Sequence, residues 1–290
     1  MKFISGQTWN RRGALAVAAG CLWASHLQAF QSPRVLPPER EGLLSEIPLL
    51  PLGRTEITRW KLVRINADGS VSTREAIGLN RREGGLQRRQ LLRIAGPGSS
   101  AGSAFLAIPT DSELPRMHYR DAGSRYVREL LPIHLPERFA DSLWSFEELL
   151  CLPSAYHVTE SIEQRVDGVR CGHLMTVAAQ PDLKAHSAFS RREVWAARDD
   201  YRPIQIDAYG REGTKQRTSR WTYDYTVVEG RVYQGLQRVE LIDRSTGDLE
   251  VAICLQRVVR DDVPLAWFTP EALADWSAAE AARLQAMLDG

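Results

Sequence analysis

The chain is short of long apolar runs, of net charge and of cysteine, and each shortage removes a class of protein. Its small, apolar run near the start, Gly13 to Ala24, covers 12 residues, too few to span a bilayer as a helix. The formal charge is +1 over 290 residues; residues 1–29 hold Lys2, Arg11 and Arg12 without an acid, which leaves 34 basic and 36 acidic residues, net −2. That balance gives no electrostatic footprint for nucleic acid. The pairs Arg81-Arg82 and Arg88-Arg89 fit the polar faces of strands. The four cysteines, Cys21, Cys151, Cys171 and Cys254, lack the paired spacing of a zinc site, and Cys171-Gly172-His173 is too sparse to make one. Internal repeats and low-complexity segments are also missing.

Catalytic motifs are equally thin. Gly98-Ser99-Ser100-Ala101-Gly102 matches the nucleophile pattern G-x-S-x-G, which must join a strand to a helix; here Ser103-Ala104-Phe105-Leu106 continues as a strand, so a glycine-rich hairpin loop is expected. His118, His134, His157 and His186 stand apart from any recurrent carboxylate pattern. The acidic pairs Glu147-Glu148, Asp199-Asp200 and Asp261-Asp262 fall at a flap or at turns, where solvation and capping account for them. The expectation is a protein without catalytic residues, metal or cofactor.

What is present begins with an export signal. Lys2 and Arg11-Arg12 precede the apolar run, and Leu27-Gln28-Ala29 offers a cleavage site, so residues 1–29 read as a signal peptide and 30–290 as one domain. Ala18-Ala19-Gly20-Cys21 offers a competing fate, a lipoprotein anchored through Cys21, and the adjacent arginines also admit a twin-arginine route. Either way the chain is expected in the periplasm. Once exported, Cys151, Cys171 and Cys254 could form at most one internal bridge.

The body reads as strands. The stretch Arg191 to Tyr209 is a β-hairpin: Val194 and Trp195 lie on one arm, Ile204, Ile206 and Tyr209 on the other, with Asp199-Asp200-Tyr201-Arg202-Pro203 turning between them. Thr218 to Val228, Gly230 to Asp243 and Leu249 to Val259 extend it into an antiparallel meander. Upstream, Thr55 to Ile65 and Ser70 to Leu79 pair through Asn66-Ala67-Asp68-Gly69, followed by Gln87 to Ala95, Ser103 to Ile108, and weaker strands at Arg116 to Tyr119 and Arg125 to Leu130. Tyr156 to Gln164 and Arg170 to Ala178 form a hairpin through Asp167-Gly168, which sets Cys171 opposite about position 164. Helical material is expected at Glu39 to Leu50, in the flap Pro136 to Leu152, and at Pro270 to Leu288, where Thr269 and Ser277 cap.

The segments LLRIAGPGSSAGSAFL, Trp144-Ser145-Phe146-Glu147-Glu148-Leu149, EVWAARDDYRPIQIDAYGREG and Trp267-Phe268-Thr269-Pro270-Glu271-Ala272-Leu273 follow one another as in a known family. From about Leu86 to Leu273 the chain resembles the outer-membrane lipoprotein-sorting proteins, with their LolA-like periplasmic carrier fold. It departs from them in the short segment Glu39 to Leu50 and in the atypical strand region SELPRMHYRDAGSRY. The resemblance implies a mainly β fold: one strongly curved antiparallel sheet of about ten strands, an open half-barrel closed by a few helices.

It also implies a binding function. A curved sheet under a helical lid can keep an apolar hollow, where acyl chains escape water at about 0.8 kcal/mol per CH₂. Trp221, Tyr223 and Tyr225, spaced by two, share one strand face, although core packing accounts for that spacing equally well. Together with Trp195, Phe105, Trp144 and Phe146 they are the candidate cavity lining. The expected role is a carrier for a lipid or the acyl chains of a lipoprotein, working with an inner-membrane transporter or an outer-membrane acceptor. A lipid-sensing or lipoprotein-sensing module that binds a partner protein is the alternative.

Overall fold

Alternation of apolar and polar residues, punctuated by turn residues, dictates antiparallel pairing, and the computed structural model contains one sheet built that way. It describes residues 34–35, 53–84, 87–111, 114–150, 156–199, 202–228 and 230–289. The signal segment, Cys21, the segment Glu39 to Leu50 and Cys151 lie outside the described residues. The first strands are β1 (Arg34–Val35), β2 (Thr55–Ile65), β3 (Val71–Gly84), β4 (Gln87–Ala95), β5 (Ala104–Ile108), β6 (Arg116–Arg120) and β7 (Val127–Leu130). After the flap come β8 (Tyr156–Val166), β9 (Val169–Ala178), β10 (Arg191–Ala197), β11 (Pro203–Tyr209), β12 (Lys215–Val228), β13 (Arg231–Asp243) and β14 (Leu249–Arg260).

The spatial order is β1-β8-β9-β10-β11-β12-β13-β14-β2-β3-β4-β5-β6-β7. Two sequential meanders are thus joined at a single seam, β14 against β2, running from Leu249↔Ile65 to Arg260↔Thr55. Among the described residues the sheet is not closed, and it has 13 strands, or 14 with the two-residue β1, rather than about ten. The larger count arises because every short segment read as a weak strand pairs fully, β6 with β5 and β7 with β6 included. The central hairpin pairs from Arg191↔Tyr209 to Ala196↔Pro203, and the Ala197 amide donates to the Arg202 carbonyl at 2.9 Å. Asp167 (φ 48°) and Gly168 (φ 82°) make the anticipated tight turn, which places Cys171 opposite Gln164.

Among the described residues helical material is sparse: α1 (Phe146–Leu150), α2 (Pro181–His186), α3 (Pro270–Ala274) and α4 (Ala278–Asp289). Helix α2 was not expected from the sequence; six residues are too few to show helical periodicity. The caps are as expected: Thr269 accepts from the Ala272 amide at 3.3 Å, and Ser277 and Glu280 exchange bonds at 2.8 and 3.2 Å.

The lid expectation needs correcting, because the helices do not gather on one side. Alternate residues of β2–β6 feed two separate cores. Leu62, Ala76, Ile94, Phe105 and Tyr119 face the flap, while Ile57, Leu79, Leu91 and Leu106 face Trp267, Phe268, Leu273, Leu284 and Leu288 of the C-terminal segment. The flap therefore covers one face of these strands and helices α3 and α4 cover the other.

Candidate ligand-binding face

The flap is a docked segment. After a 3₁₀ turn at Pro132–His134 it runs largely irregular to α1. Phe146 lies 5.4 Å from Phe105 and 5.2 Å from Tyr119 (ring centroids), Phe139 joins them edge-on, and Trp144 meets Trp221 of β12 edge-on at 6.2 Å. Phe105 and Phe146 are fully buried.

Charge pins the same segment at its rim. Glu147 accepts from Arg192 at 2.7 Å and from Ser187 at 2.8 Å; Arg217 bonds the Glu148 carboxylate and the Leu143 carbonyl; Arg138 bonds Asp243 at 2.8 Å. Glu148 also caps α1 through the Ser145 amide and hydroxyl, as its position suggested. Glu147, by contrast, is buried, so solvation does not account for it. Beneath the flap, Glu250 of β14 accepts the Leu143 amide at 2.7 Å and pairs with Arg74 at 3.3 Å. Burial pushes the Glu250 carboxyl above its ordinary value, against the pull of Arg74 and the Leu143 amide.

Beyond the flap the same face emerges into solvent. β11 accompanies β12 only as far as Arg220, and β13 accompanies β14 only as far as Arg238↔Ile253. The remaining pairs, Trp221↔Val239 to Val228↔Arg231, run on as a two-stranded ribbon. On β12 the flap-side residues are Trp221, Tyr223, Tyr225 and Val227. Trp221 is packed on Trp144, Tyr223 is half-buried with Arg202 over its ring at 6.0 Å, and Tyr225 and Val227 are both 67% exposed. Val232, 59% exposed, sits opposite Val227 and completes an apolar stripe from a dry core to open water.

The seven candidate residues therefore do not form one cluster. Phe105, Trp144, Phe146 and Trp221 share the flap-side core. Tyr223 and Tyr225 continue it outward. Trp195 lies on the opposite face, since Val194, not Trp195, registers through Ile206 with Ser219, the residue two before Trp221. There Trp195 stacks on His173 at 4.6 Å and donates to Gln164 at 2.6 Å. Two neighbours on one strand alternate between faces, and only cross-strand register could assign them.

At the base of the ribbon the strands part, and sequence reading missed what lies there. Where β13 and β14 separate, Arg257 of β14 reaches across to bond Asp224 of β12 and the Leu236 carbonyl of β13, and it pairs with Glu56 of β2 at 2.8 Å. Its side chain is 5% exposed. Burial pushes the Glu56 carboxyl up, with Arg257 and Arg88 opposing. In the sequence Arg257 alternates with Val251, Ile253 and Leu255, and only the bulge at Leu255 brings it to the face of Ala252 and Cys254.

The remaining motifs take structural places. Gly98 to Gly102 joins the antiparallel strands β4 and β5, so the serine loop is a hairpin turn, and Ser99 donates to Asp141 of the flap at 3.2 Å. Cys171 and Cys254 are free thiols, both pushed up by burial. Among the described residues no group of three or more His, Cys, Asp or Glu could hold a metal ion, and no helix is long and apolar enough to cross a membrane.

Known proteins share this fold. A family model with the description "-like: Uncharacterized protein" matches residues 86–275. No curated protein matches the sequence. Among solved structures, a DUF1329 family protein from Desulfovibrio piger is 18% identical, with a TM-score of 0.69 over 81% of this chain and 98% of that one. A domain assigned to outer membrane lipoprotein sorting, from Vibrio parahaemolyticus, is 17% identical, with a TM-score of 0.68 over 76% and 92%. A LolA superfamily protein from Nitrosomonas europaea is 15% identical, with a TM-score of 0.59 over 79% and 96%. The chain thus belongs to the family of the model that spans residues 86–275, and its fold is the LolA-like lipoprotein-sorting fold that its flap and hairpin motifs resemble.

Proposed function

We propose that this chain is an exported, non-enzymatic carrier that binds a lipid, or the acyl chains of a lipoprotein, on the flap-side face of a curved half-barrel sheet. It passes that cargo unchanged toward an outer-membrane acceptor. The observation that carries the reading is the stripe Trp221, Tyr223, Tyr225 and Val227, continuous with the flap core at one end and exposed at the other. A stripe of this kind offers an alkyl chain a path that removes it from water stepwise. The lipoprotein-sorting relatives of the fold agree with it. The periplasm is the proposed location, with residues 1–29 as the signal and 30–290 as the carrier domain.

The alternative, a sensing module that binds a partner protein, draws support from the ribbon itself, since unpaired strand edges are templates for other chains. One experiment weighs both. The protein is purified from native membranes-plus-periplasm, and organic extracts are analysed by mass spectrometry for wild type and Tyr223→Asp, with folding checked by circular dichroism. Wild type should retain lipid, and the variant should lose it, because an acyl chain offers a buried carboxylate no partner. Equal retention in a folded variant moves the site off the stripe; absence of lipid or lipopeptide binding by wild type removes the carrier reading.

A further inference from the structure

The geometry points to a gate: the fork between β13 and β14 is the access port to the apolar stripe, and Arg257 is the latch that holds it shut. This inference rests on the acyl-carrier reading for its port, while the latch stands on the fork alone. Three observations converge.

First, the fork is a real discontinuity. β13 and β14 stop pairing after Arg238↔Ile253, yet each goes on pairing with its other neighbour, β13 with β12 to Arg231 and β14 with β2 to Arg260. Two firmly paired arms thus diverge from one point. A bulge marks that point on each arm: register shifts between Thr222 and Tyr223 where β12 meets β13, and between Cys254 and Gln256 where β14 meets β2. Bulges bend strands and increase twist, which is what separates the arms.

Second, one side chain spans the gap. Arg257 bonds the Leu236 carbonyl and the Asp224 carboxylate on the ribbon arm, and Glu56 on its own arm. A guanidinium with donors in a fixed fork suits this task, because it can replace the missing strand-to-strand bonds while joining two carboxylates. Gly235, buried beneath it, makes room: a Cβ at that position would overlap the guanidinium.

Third, the arms carry apolar surface that closure leaves in water. Leu255, the residue bulged out of β14, is 52% exposed, and Tyr225 and Val227 on the ribbon are each 67% exposed. The ribbon is a two-stranded element, which is marginal by itself, and besides Arg257 the buried Tyr233 and the contact of Arg202 with the Tyr223 ring hold it in place. Releasing the Arg257 guanidinium from Asp224 and from the Leu236 carbonyl would let the ribbon swing, widening the way from Leu255 and Leu236 to Tyr223 and Trp221. A carrier needs such a step, since cargo must enter and leave without unfolding the flap core.

The test compares the full chain with Arg257→Met, which removes the charge, and Gly235→Ala, which keeps every charge and displaces the guanidinium. Arg238→Ala, at an exposed arginine paired with Glu240, is the control. Amide hydrogen exchange across 231–237 reads the latch, and stopped-flow uptake of palmitate bearing a terminal fluorophore reads the port. Both variants should exchange and take up probe about tenfold faster or more, as expected when the closed state loses a charged hydrogen bond. Exchange unchanged in the folded Gly235→Ala variant overturns the latch. Faster exchange with unchanged uptake overturns the port and leaves the carrier reading standing. Wild type that takes up no probe and retains no lipid removes the carrier reading and the port together, and exchange alone then decides the latch.

Discussion

The carboxylate of Glu250 accepts the backbone amide of Leu143 at 2.7 Å, across 107 residues of chain. One side chain of β14 thereby fixes the turn of the flap, and its companion Arg74 has no other anchor: the guanidinium nitrogens are buried and make no hydrogen bond among the described residues. Glu250→Ala would leave a buried guanidinium unpaired and an amide unsatisfied, so we expect a loss of about 3–5 kcal/mol in urea unfolding. Glu250→Gln keeps an acceptor and should lose less. A loss under about 1 kcal/mol for the alanine variant would mean that the flap is held elsewhere.

Acid should stabilise this protein over part of its range. Glu56 and Glu250 both have native pKa values above 4.5, chiefly through burial. The native state therefore binds these protons more tightly than the unfolded chain, so stability rises as pH falls toward 4.5 and declines as pH climbs through the native values. Asp243 runs the other way: burial raises its pKa, but bonds from Ser245 and the charge of Arg217 outweigh that and hold it below 3.8, so its contribution is lost in stronger acid. Unfolding free energies measured from pH 4 to 8 should show the decline in wild type and a shallower one in Glu250→Gln. Identical slopes would discount Glu250.

Packing and exposure divide the aromatic residues into two kinds that mutation should separate. Phe146→Ala removes a fully buried ring from among Phe105, Tyr119 and Phe139 and should cost about 3–5 kcal/mol. Tyr225→Ser combined with Val227→Ser touches only exposed side chains and should change stability by less than about 1 kcal/mol, while lowering lipid retention. Destabilisation by the double variant comparable to Phe146→Ala would make the ribbon a structural element rather than a binding one.

The sequence carries the strands well because β alternation and turn chemistry are local. The turn at Asp167-Gly168 and the hairpin from Arg191 to Tyr209 are each visible in a single short stretch, and both stand as expected. Partners distant in sequence are invisible by the same logic. Nothing near Trp195 tells which face it takes, because that depends on register carried through β11 into β12. Glu147 reads as a flap carboxylate in water until Arg192 and Ser187, some forty residues on, close over it. Arg257 reads as a polar strand residue until β13 turns away and leaves a gap for it to fill. The candidate stripe was legible from spacing alone; the fork at its base was not.

The seam between β14 and β2 also sets the order in which the molecule can assemble. Each meander, β2 to β7 and β8 to β14, is built from hairpins whose halves are near neighbours, but the seam joins Thr55 to Arg260 and Ile65 to Leu249, about two hundred residues apart. Closing so long a loop is entropically slow and comes after the local pairings. Leu62 and Ala252, which meet there, belong to the same flap-side core, so that core stays incomplete until the last strand arrives. On the proposed export, N-terminus first, the chain would thus remain two unjoined halves until nearly all of it had crossed, and would lock only when β14 found β2.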